Sequence, residues 1–459
     1  MPKFHRGLFW STLVLILSST LLNAQSSLAD GPPLVSWLSL DAPPGWEHLA
    51  TDPIMKALPG WKRDSLGNLI LRKGTGSPRR VVACGIDRPA FAVTEITDEG
   101  YVRLRELGGV RTHPLWTQFH EGQRIRILSR SGERPGVVTV KSTHLSRVRG
   151  VSAPVTVLDD LWVDVGATSR LEVQQLGIRM LDPVVRDFSG WTYADHVAGP
   201  SAASRIGCAA VASASRNEVT SGETIFMITT LRSFGQDGLA AALRSIGRVD
   251  DVTLVDQSAD ESTEAVSLRR VEKPSYLPES TGLTSISMLS PKVKYAGTLV
   301  ESVHIADANA LLTSVEKAAN VTSGSRYQRW VELPPNGGWL ERLDAFSETA
   351  SLLQSLADTP SVSGHEREVR EKLVTALPLW AKSKAITDEA GNLMVEAGPN
   401  VDPVIFIAHL DEVGYEITNI ADDGTVSLRT RGGMFQSLWE GQPALLHFDT
   451  PGKPPLHGV

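Results

Sequence analysis

The feature that most constrains this 459-residue chain is an internal repeat. The stretch DSLGNL at 64–69 recurs as DEAGNL at 388–393, an offset of 324 positions. The same offset aligns Val81 with Ile405, Asp87 with Asp411, Thr94 with Thr418, Asp98 with Asp422, Gly100 with Gly424, and Gly108-Gly109 with Gly432-Gly433. Self-similarity at a fixed spacing is the sequence signature of a repeated folding unit. The sequence therefore predicts two copies of one domain.

The two copies are unequal in length. The first is predicted at 30–330 and the second at 346–459, with linker chemistry rich in Pro and Gly at 331–345. Gly458-Val459 aligns with Gly136-Val137 of the first copy, so most of a second unit has no counterpart here. We expect the second unit to be truncated, through a shortened gene, a frameshift or a partial sequence.

The N-terminus has the pattern of a targeting segment. Lys3, His5 and Arg6 precede an apolar stretch at 8–22, and Ser27-Leu28-Ala29 offers the small-x-small pattern that a signal peptidase favours. The apolar run is short for a membrane span. The pattern predicts a signal peptide at 1–29 and an exported protein, with an uncleaved membrane anchor as the alternative. After cleavage no membrane association is expected.

Charge and cysteine content narrow the function classes. A net charge of −7 and a pI near 5.9 argue against a nucleic-acid partner, which would require a basic face. Cys84 and Cys208 are the two cysteines of the chain. Export would permit a disulfide between them, but two cysteines are no disulfide framework, and buried free thiols are the favoured interpretation.

The candidate chemistry lies at the end of an apolar run in the second copy. Residues 404–408 (VIFIA) suit a buried strand, and His409 and Asp411 follow directly. Side chains two positions apart on an extended segment project to the same side. The spacing suits a metal-binding His409 that is steadied by the neighbouring carboxylate. The alternative is a solvated histidine beside an aspartate near a turn.

A second local pattern precedes this strand. The stretch SVSGHE at 361–366 predicts a turn into a helix at 366–377, with Ser363 as N-cap and Glu366 at the capping-box position. His365 is predicted to be a solvent-facing residue at the helix start. Upstream, Leu340, Leu343, Leu352, Leu353 and Leu356 recur on the apolar face of a further predicted helix.

Four motifs of the second copy together resemble one family. They are TPSVSGHEREVREKL, DEAGNLMVEAGP, VIFIAHLDEVGYEIT and DDGTVSLRTRGG. In order and spacing they resemble the tetrahedral or glutamyl aminopeptidases, co-catalytic metallopeptidases of which some members are also labelled endoglucanases. The resemblance implies an α/β fold with a mixed sheet flanked by helices and a small β-rich insertion. That insertion would lie at about 93–162 in the first copy and begin near 417 in the second. Short strands at 102–104, 124–128 and 136–140 agree with it.

The resemblance also implies a two-metal centre, usually zinc or cobalt, that activates a water for attack on a peptide bond. His409 matches the first metal ligand, and Asp411 matches the catalytic acid that supports it. The family's bridging Asp, its Glu-Glu pair, a later Asp and a late His would follow beyond this point. We therefore expect that this chain does not hold the metal pair stably and is inactive alone.

The first copy keeps the scaffold motifs of the family but has lost most of its ligands. The H-x-D position reads Gly85-Ile86-Asp87, and the bridging-Asp segment reads Ala203-Ser204-Arg205. The Glu-Glu pair reads Arg232-Ser233, Asp251 matches the later Asp, and Gly297 stands at the late His. A single carboxylate cannot hold zinc, which takes about four ligands. The first copy is predicted to be a pseudoenzyme domain, with Arg232 paired to Asp87 or Asp251.

Two functional hypotheses remain. In one, the protein belongs to an exported metallo-aminopeptidase line that acts on peptides. In the other, it is a non-catalytic scaffold or peptide-binding module. The resemblance further implies homo-oligomers built through the β-rich insertion.

Overall fold

The computed structural model describes residues 33–109, 113–139, 155–188, 190–257, 263–322, 330–333, 347–399, 404–433, 439–448, 450 and 453–459. The predicted signal peptide, most of the predicted linker, and Leu340 and Leu343 lie outside these ranges. Within them, no helix combines the length and apolar character that a membrane crossing requires. The chain divides into two compact units. The first comprises the residues up to 336 with 440–446 and 456–459, and the second comprises 337–439 with 447–455.

The first unit contains six helices among its described residues. They are α1 (Leu34–Leu38), α2 (His48–Ala57), α3 (Arg170–Gln175), α4 (Ala202–Ala214), α5 (Asp237–Ile246) and α6 (Ile305–Ala318). Its strands up to residue 322 are β1 (Lys62–Arg63), β2 (Leu69–Gly74), β3 (Arg79–Gly85), β4 (Ala90–Ile96), β5 (Val102–Leu107), β6 (Arg124–Ser129), β7 (Gly132–Val138), β8 (Trp162–Asp164), β9 (Pro183–Arg186), β10 (Trp191–Tyr193), β11 (His196–Ala198), β12 (Glu223–Thr229), β13 (Asp251–Val255), β14 (Val266–Glu272), β15 (Ser285–Pro291) and β16 (Ser302–His304).

A seven-stranded mixed sheet forms the centre of the first unit, in the order β1-β2-β12-β3-β13-β15-β14. Strands β12, β3, β13 and β15 run parallel, whereas β2 and β14 pair antiparallel at the two sides. On β3, Val81 and Ala83 pack toward α5, and Val82 and Cys84 pack toward α4 and α6. A parallel strand covered on both faces is expected to be apolar throughout. The mixed α/β fold expected from the sequence is confirmed.

The β-rich insertion is a closed barrel in the order β4-β5-β8-β7-β6-β9. Strands β5, β6 and β7 confirm the three short strands predicted there. The barrel runs from Ala90 to Arg186, so it extends past both limits of the predicted 93–162. Its core is separate from the sheet's and includes Phe91, Val102 and Ile127.

Cys84 and Cys208 form a disulfide, so the free-thiol interpretation was wrong. Cys84 is the second-last residue of β3 and Cys208 lies on α4, which packs on that strand. The prediction failed because the contact between a strand and a helix 124 positions apart depends on the tertiary fold. A bridge over so long a loop constrains the unfolded chain strongly.

The second unit contains α7 (Ser347–Ala357), α8 (Arg367–Ala376), α9 (Leu379–Lys382), β17 (Ile386–Thr387), β18 (Leu393–Met394), β19 (Gly414–Ile420) and β20 (Val426–Arg431). Helix α8 confirms the helix predicted at 366–377. The predicted cap was wrong. Glu366 holds the N-cap position without a side-chain cap bond, and Ser363 donates its hydroxyl to Asp411 instead. The last two strands, β21 (Ala444–Leu446) and β22 (Leu456–Gly458), belong to the first unit.

Local structure repeats at the sequence offset of 324. The pair β4–β5 has a bulge between Val93 and Glu95, and the pair β19–β20 has one between Ile417 and Asn419, each 324 positions on. Asn68 donates its backbone N–H to Asp64, and Asn392 donates likewise to Asp388. Bulges and turns of this kind are specific features of a sequence, so the two regions follow one structural pattern.

Candidate functional site

In the first unit, three strand ends bring polar residues together. Asp87 follows β3, Arg232 follows β12, and Asp256 follows β13 directly. These strands are neighbours and run parallel, so their carboxyl ends meet at one edge of the sheet. The buried Asp87 carboxylate accepts hydrogen bonds from the backbone N–H groups of Arg232 and Ser233, each at 2.8 Å. Asp87 therefore joins the end of β3 to the loop after β12.

The Arg232 side chain forms a buried ion pair with Asp256. Its Nε lies 2.9 and 2.8 Å from the two carboxylate oxygens, and only 8% and 6% of the two side chains are exposed. Ser204 donates a further hydrogen bond of 2.7 Å to the same carboxylate. Desolvation pulls the pKa of Arg232 down, but attraction to Asp256 and Asp87 outweighs it and raises the pKa. The guanidinium is a permanent cation at this edge.

This geometry corrects the predicted partner of Arg232. Neither Asp87 nor Asp251 pairs with its guanidinium. Asp251 opens β13 at the far end of the strand, about 16 Å from Asp256 at roughly 3.3 Å per residue. The signal that would have identified Asp256 is its place directly after an apolar strand.

Gly85 stands where the second copy has His409. A Cβ atom built on Gly85 would lie 2.4 Å from Cδ and 2.6 Å from Cβ of Arg232. The stem of Arg232 thus fills the volume that any side chain at 85 would need. A histidine at this position and the present placement of Arg232 exclude each other.

Glu301 is a further buried acid at this edge, and the sequence reasoning missed it. Its two carboxylate oxygens accept the backbone N–H groups of Ala203 and Gly297, each at 2.9 Å. In the family resemblance, Ala203 lies in the segment aligned with the bridging Asp, and Gly297 is aligned with the late His. Desolvation by burial raises the pKa of Glu301 to about 6, against the opposing backbone hydrogen bonds and the charge of Arg232. Glu301 therefore ties together the segments that contain Ala203 and Gly297.

The described residues of the first unit do not fit a metal pair. No group of three or more His, Cys, Asp or Glu side chains among the described residues could hold an ion. Arg232 forms an ion pair with the Asp256 carboxylate, which is therefore not free to bind a metal. In the described part of the second unit, His409 and Asp411 supply two ligands, whereas zinc takes about four.

In the second unit, His409 and Asp411 lie close together, although residues 404–408 are exposed and do not form the predicted buried strand. His409 Nδ1 lies 2.9 Å from the Asp411 backbone oxygen and 3.3 Å from its Oδ1. The ring nitrogen that remains, Nε2, is the atom that could coordinate a metal. The His409 side chain is 86% exposed, and that of Asp411 is 42% exposed.

Asp411 is held in place by the turn before α8. Ser363 Oγ donates a hydrogen bond of 2.6 Å to Asp411 Oδ2. This bond is the main reason why the pKa of Asp411 lies below its ordinary value, with the nearby His409 contributing. Next to it, Glu412 N donates to Ser361 O at 2.9 Å. The carboxylate is therefore charged and oriented, which suits a supporting acid.

The sequence comparison assigns the family of this chain. The sequence matches the family M42 glutamyl aminopeptidase over residues 67–271 and 391–457, more than half of the chain. The protein belongs to the M42 family, a family of metallo-aminopeptidases. The expected resemblance is confirmed.

Individual relatives agree with this assignment. The lysyl aminopeptidase of Pyrococcus furiosus is 34% identical over 141 residues, which are 30% of this chain and 39% of the relative. The glutamyl aminopeptidase of Lactococcus lactis is 30% identical over 27% of this chain and 34% of its own length. The chain spans about two fifths of the length of the first curated relatives that it matches.

Solved structures show the same fold. Aminopeptidase APDkam598 of the archaeon Desulfurococcus kamchatkensis matches with a TM-score of 0.54 at 20% identity, covering 63% of this chain and 94% of that one. The TET1 peptidase of Pyrococcus horikoshii, which can assemble into a tetrahedron or a large octahedral shell, matches with a TM-score of 0.53 at 20% identity, covering 62% and 98%.

Proposed function

We propose that this chain is an exported metallo-aminopeptidase relative whose first copy, 30–330, is non-catalytic. The second copy, predicted at 346–459, carries His409 as a metal ligand and Asp411 as its supporting acid. The observation that carries the proposal is the contrast at one repeat position. Gly85 is filled by the stem of Arg232, whereas His409 keeps a ring nitrogen for a metal.

The present chain alone is expected to be inactive toward peptides. His409 and Asp411 supply one imidazole and one carboxylate, and a stable zinc or cobalt site needs further ligands.

Export and assembly are parts of the same proposal. The Cys84–Cys208 disulfide supports export, because such bonds persist in oxidising compartments. The equal bulge positions of the two regions support their tandem origin. Assembly of the TET1 peptidase into shells motivates a homo-oligomer formed through the barrel.

The second candidate is a non-catalytic scaffold or peptide-binding module. The buried Arg232–Asp256 pair favours it for the first unit, since the two opposite charges neutralise each other inside the fold. Under this reading His409 would bind no metal, and its substitution would change no property beyond local contacts.

The test is an aminopeptidase assay on purified 30–459 with added Zn²⁺ or Co²⁺, alongside His409→Ala. We expect no metal-dependent turnover from either protein. Turnover that requires metal and disappears in His409→Ala would show that the chain is a complete enzyme. Weak zinc binding that depends on His409, without turnover, would favour the metallopeptidase line over the scaffold.

A further inference from the structure

A cluster of titratable side chains lies on the three-stranded sheet β10-β11-β16 of the first unit. His196 begins β11 and His304 ends β16, and the antiparallel register places the two residues directly opposite each other. Their rings meet edge to face, with 5.0 Å between centroids. Tyr193 of β10 stacks on His196, also at 5.0 Å. None of these three residues has a role in the site described above.

His304 connects β16 to helix α6 and caps that helix. It holds the N-cap position, and its Nδ1 accepts a hydrogen bond of 3.1 Å from the backbone N–H of Ala306. An imidazole nitrogen accepts only through its lone pair, so Nδ1 is unprotonated and the ring proton lies on Nε2. Protonation of Nδ1 would turn this acceptor into a donor that faces another donor. The cap therefore exists only while His304 is neutral.

A positive charge on His304 would also oppose the helix itself. The first N–H groups of a helix have no intrahelical partners, and they form the positive end of its dipole. A histidinium at the N-cap would add a cation to that end. Further along α6, Leu311, Leu312 and Val315 pack in the main core of the first unit. The first turn is therefore the part of α6 that depends most on the cap.

His196 makes the same place unfavourable for a proton. Its Nδ1 is buried and has no hydrogen-bond partner among the described residues. Burial, followed by the charges of Lys294 and His304, holds the pKa of His196 below its ordinary value of 6.5. The unfolded chain therefore takes up this proton more readily than the folded chain, and stability is lost as pH falls below about 6.5. Two charged histidines directly opposite each other on paired strands would repel.

The charged groups around the histidine pair are of both signs. Asp195 and Asp307 favour a charged His196, but burial and the cations Lys294 and His304 outweigh them. The segments packed on this sheet carry further titratable groups, which are Tyr193 on β10, Arg205 on α4, His457 on β22, and Tyr295 beside Lys294. The balance at His196 therefore favours the neutral ring.

We propose that His304 and His196 form a pH-sensitive switch at the start of helix α6. At neutral pH the uncharged His304 caps the helix, and β11 and β16 stay paired. In acid, protonation breaks the cap bond and places like charges opposite each other, so the end of β16 and the first turn of α6 open locally. The inference concerns the first unit alone and does not depend on the activity proposed above.

The experiment is hydrogen–deuterium exchange of the full chain at about pH 7.5 and about pH 5, on either side of the histidine range. Each rate is divided by the intrinsic exchange rate at that pH. We expect the amides of 302–308 to exchange at least about tenfold faster in acid, the size of one hydrogen bond to a charged group. Amides of the central strand β3 should not change. Unchanged exchange at 302–308, or an equal increase in β3, would overturn the proposal.

Two variants locate the switch. His304→Asn keeps an N-cap acceptor that does not titrate, so it should abolish the acid-dependent increase at 302–308. His196→Phe keeps an aromatic ring without a charge, so it should reduce the increase, and it tests the pair even if His304→Asn fails to fold. His113→Asn is the matched control, because His113 Nδ1 likewise accepts a backbone N–H, that of Leu115 at 3.1 Å. It should leave the response at 302–308 unaltered. A wild-type response in both switch variants would contradict the assignment.

Discussion

The two H-x-D positions of this chain differ in what fills the space around them. In the first unit, Asp87 is fully buried and accepts two backbone N–H groups, and Arg232 fills the space beside Gly85. In the second, His409 and Asp411 are largely exposed and contact each other. The comparison shows that an aspartate at this repeat position can stabilise the fold without a histidine two positions before it. The Asp87 carboxylate holds the loop after β12 through two backbone hydrogen bonds, and the positive charge nearby comes from the Arg232 side chain.

The strands that lead to these positions differ in the same way. β3 has partners on both sides, β12 and β13. The corresponding residues Val404, Ile405, Phe406 and Ile407 are 75–94% exposed and have no strand partner among the described residues. An apolar segment of this kind is stable only when neighbours cover it. Among the described residues, the apolar side chains of 404–407 therefore lack the cover that β3 receives.

The largest expected effect comes from Arg232→Ala. It leaves the buried Asp256 without its cation, and we expect a loss of about 3–5 kcal/mol in the free energy of unfolding. Urea denaturation measures it. The double variant Arg232→Leu/Asp256→Leu removes both charges and should lose less. If Arg232→Ala were as stable as the wild type, Arg232 would not be needed to neutralise Asp256.

Gly85→Ala tests whether the space at the former histidine position is filled. The added Cβ would meet the stem of Arg232, and overpacking of this kind costs about 1–3 kcal/mol. In an Arg232→Ala background the same substitution should cost clearly less, since the two residues compete for one volume. Thermal unfolding of the four proteins gives the coupling. Additive effects would contradict the account of this position.

Titration of the buried Glu301 should make the free energy of unfolding depend on pH. Burial raises the pKa of Glu301 from 4.5 to about 6, so the folded state holds the proton more tightly than the unfolded state. Its contribution to stability is greatest below about pH 4.5 and is lost as pH rises to about 6, by about 2 kcal/mol. Glu301→Gln should remove this slope. An identical slope in both proteins would show that Glu301 is not the titrating group.

The smallest effect concerns the second unit. Ser363→Ala removes the hydrogen bond that lowers the pKa of Asp411, so that pKa should rise toward its ordinary value. A carboxyl NMR titration measures it. Ser383→Ala, whose hydroxyl bonds only to Trp380 O, is the control and should leave Asp411 unchanged. A Ser363→Ala variant with the same Asp411 pKa would mean that the turn does not orient this acid.

Much of the fold could be predicted from local sequence patterns. The repeat offset, the barrel strands β5 to β7 and helix α8 were visible because turns and apolar periodicity are local. The partner of Arg232, the role of Glu301 and the disulfide were not, because each depends on which distant segments the sheet brings together. The same holds for Ser363. Its hydroxyl donates to Asp411, 48 positions away, and does not cap the helix that follows it.

Cobalt(II) titration of the full chain, followed by optical spectroscopy, tests the central claim most directly. The claim is that Arg232 has replaced the metal in the first unit and that only His409 remains as a ligand in this chain. We predict no tight, stoichiometric cobalt binding, and loss of any weak binding in His409→Ala. Tight stoichiometric binding that survives His409→Ala would place a metal centre elsewhere in the chain and contradict the account.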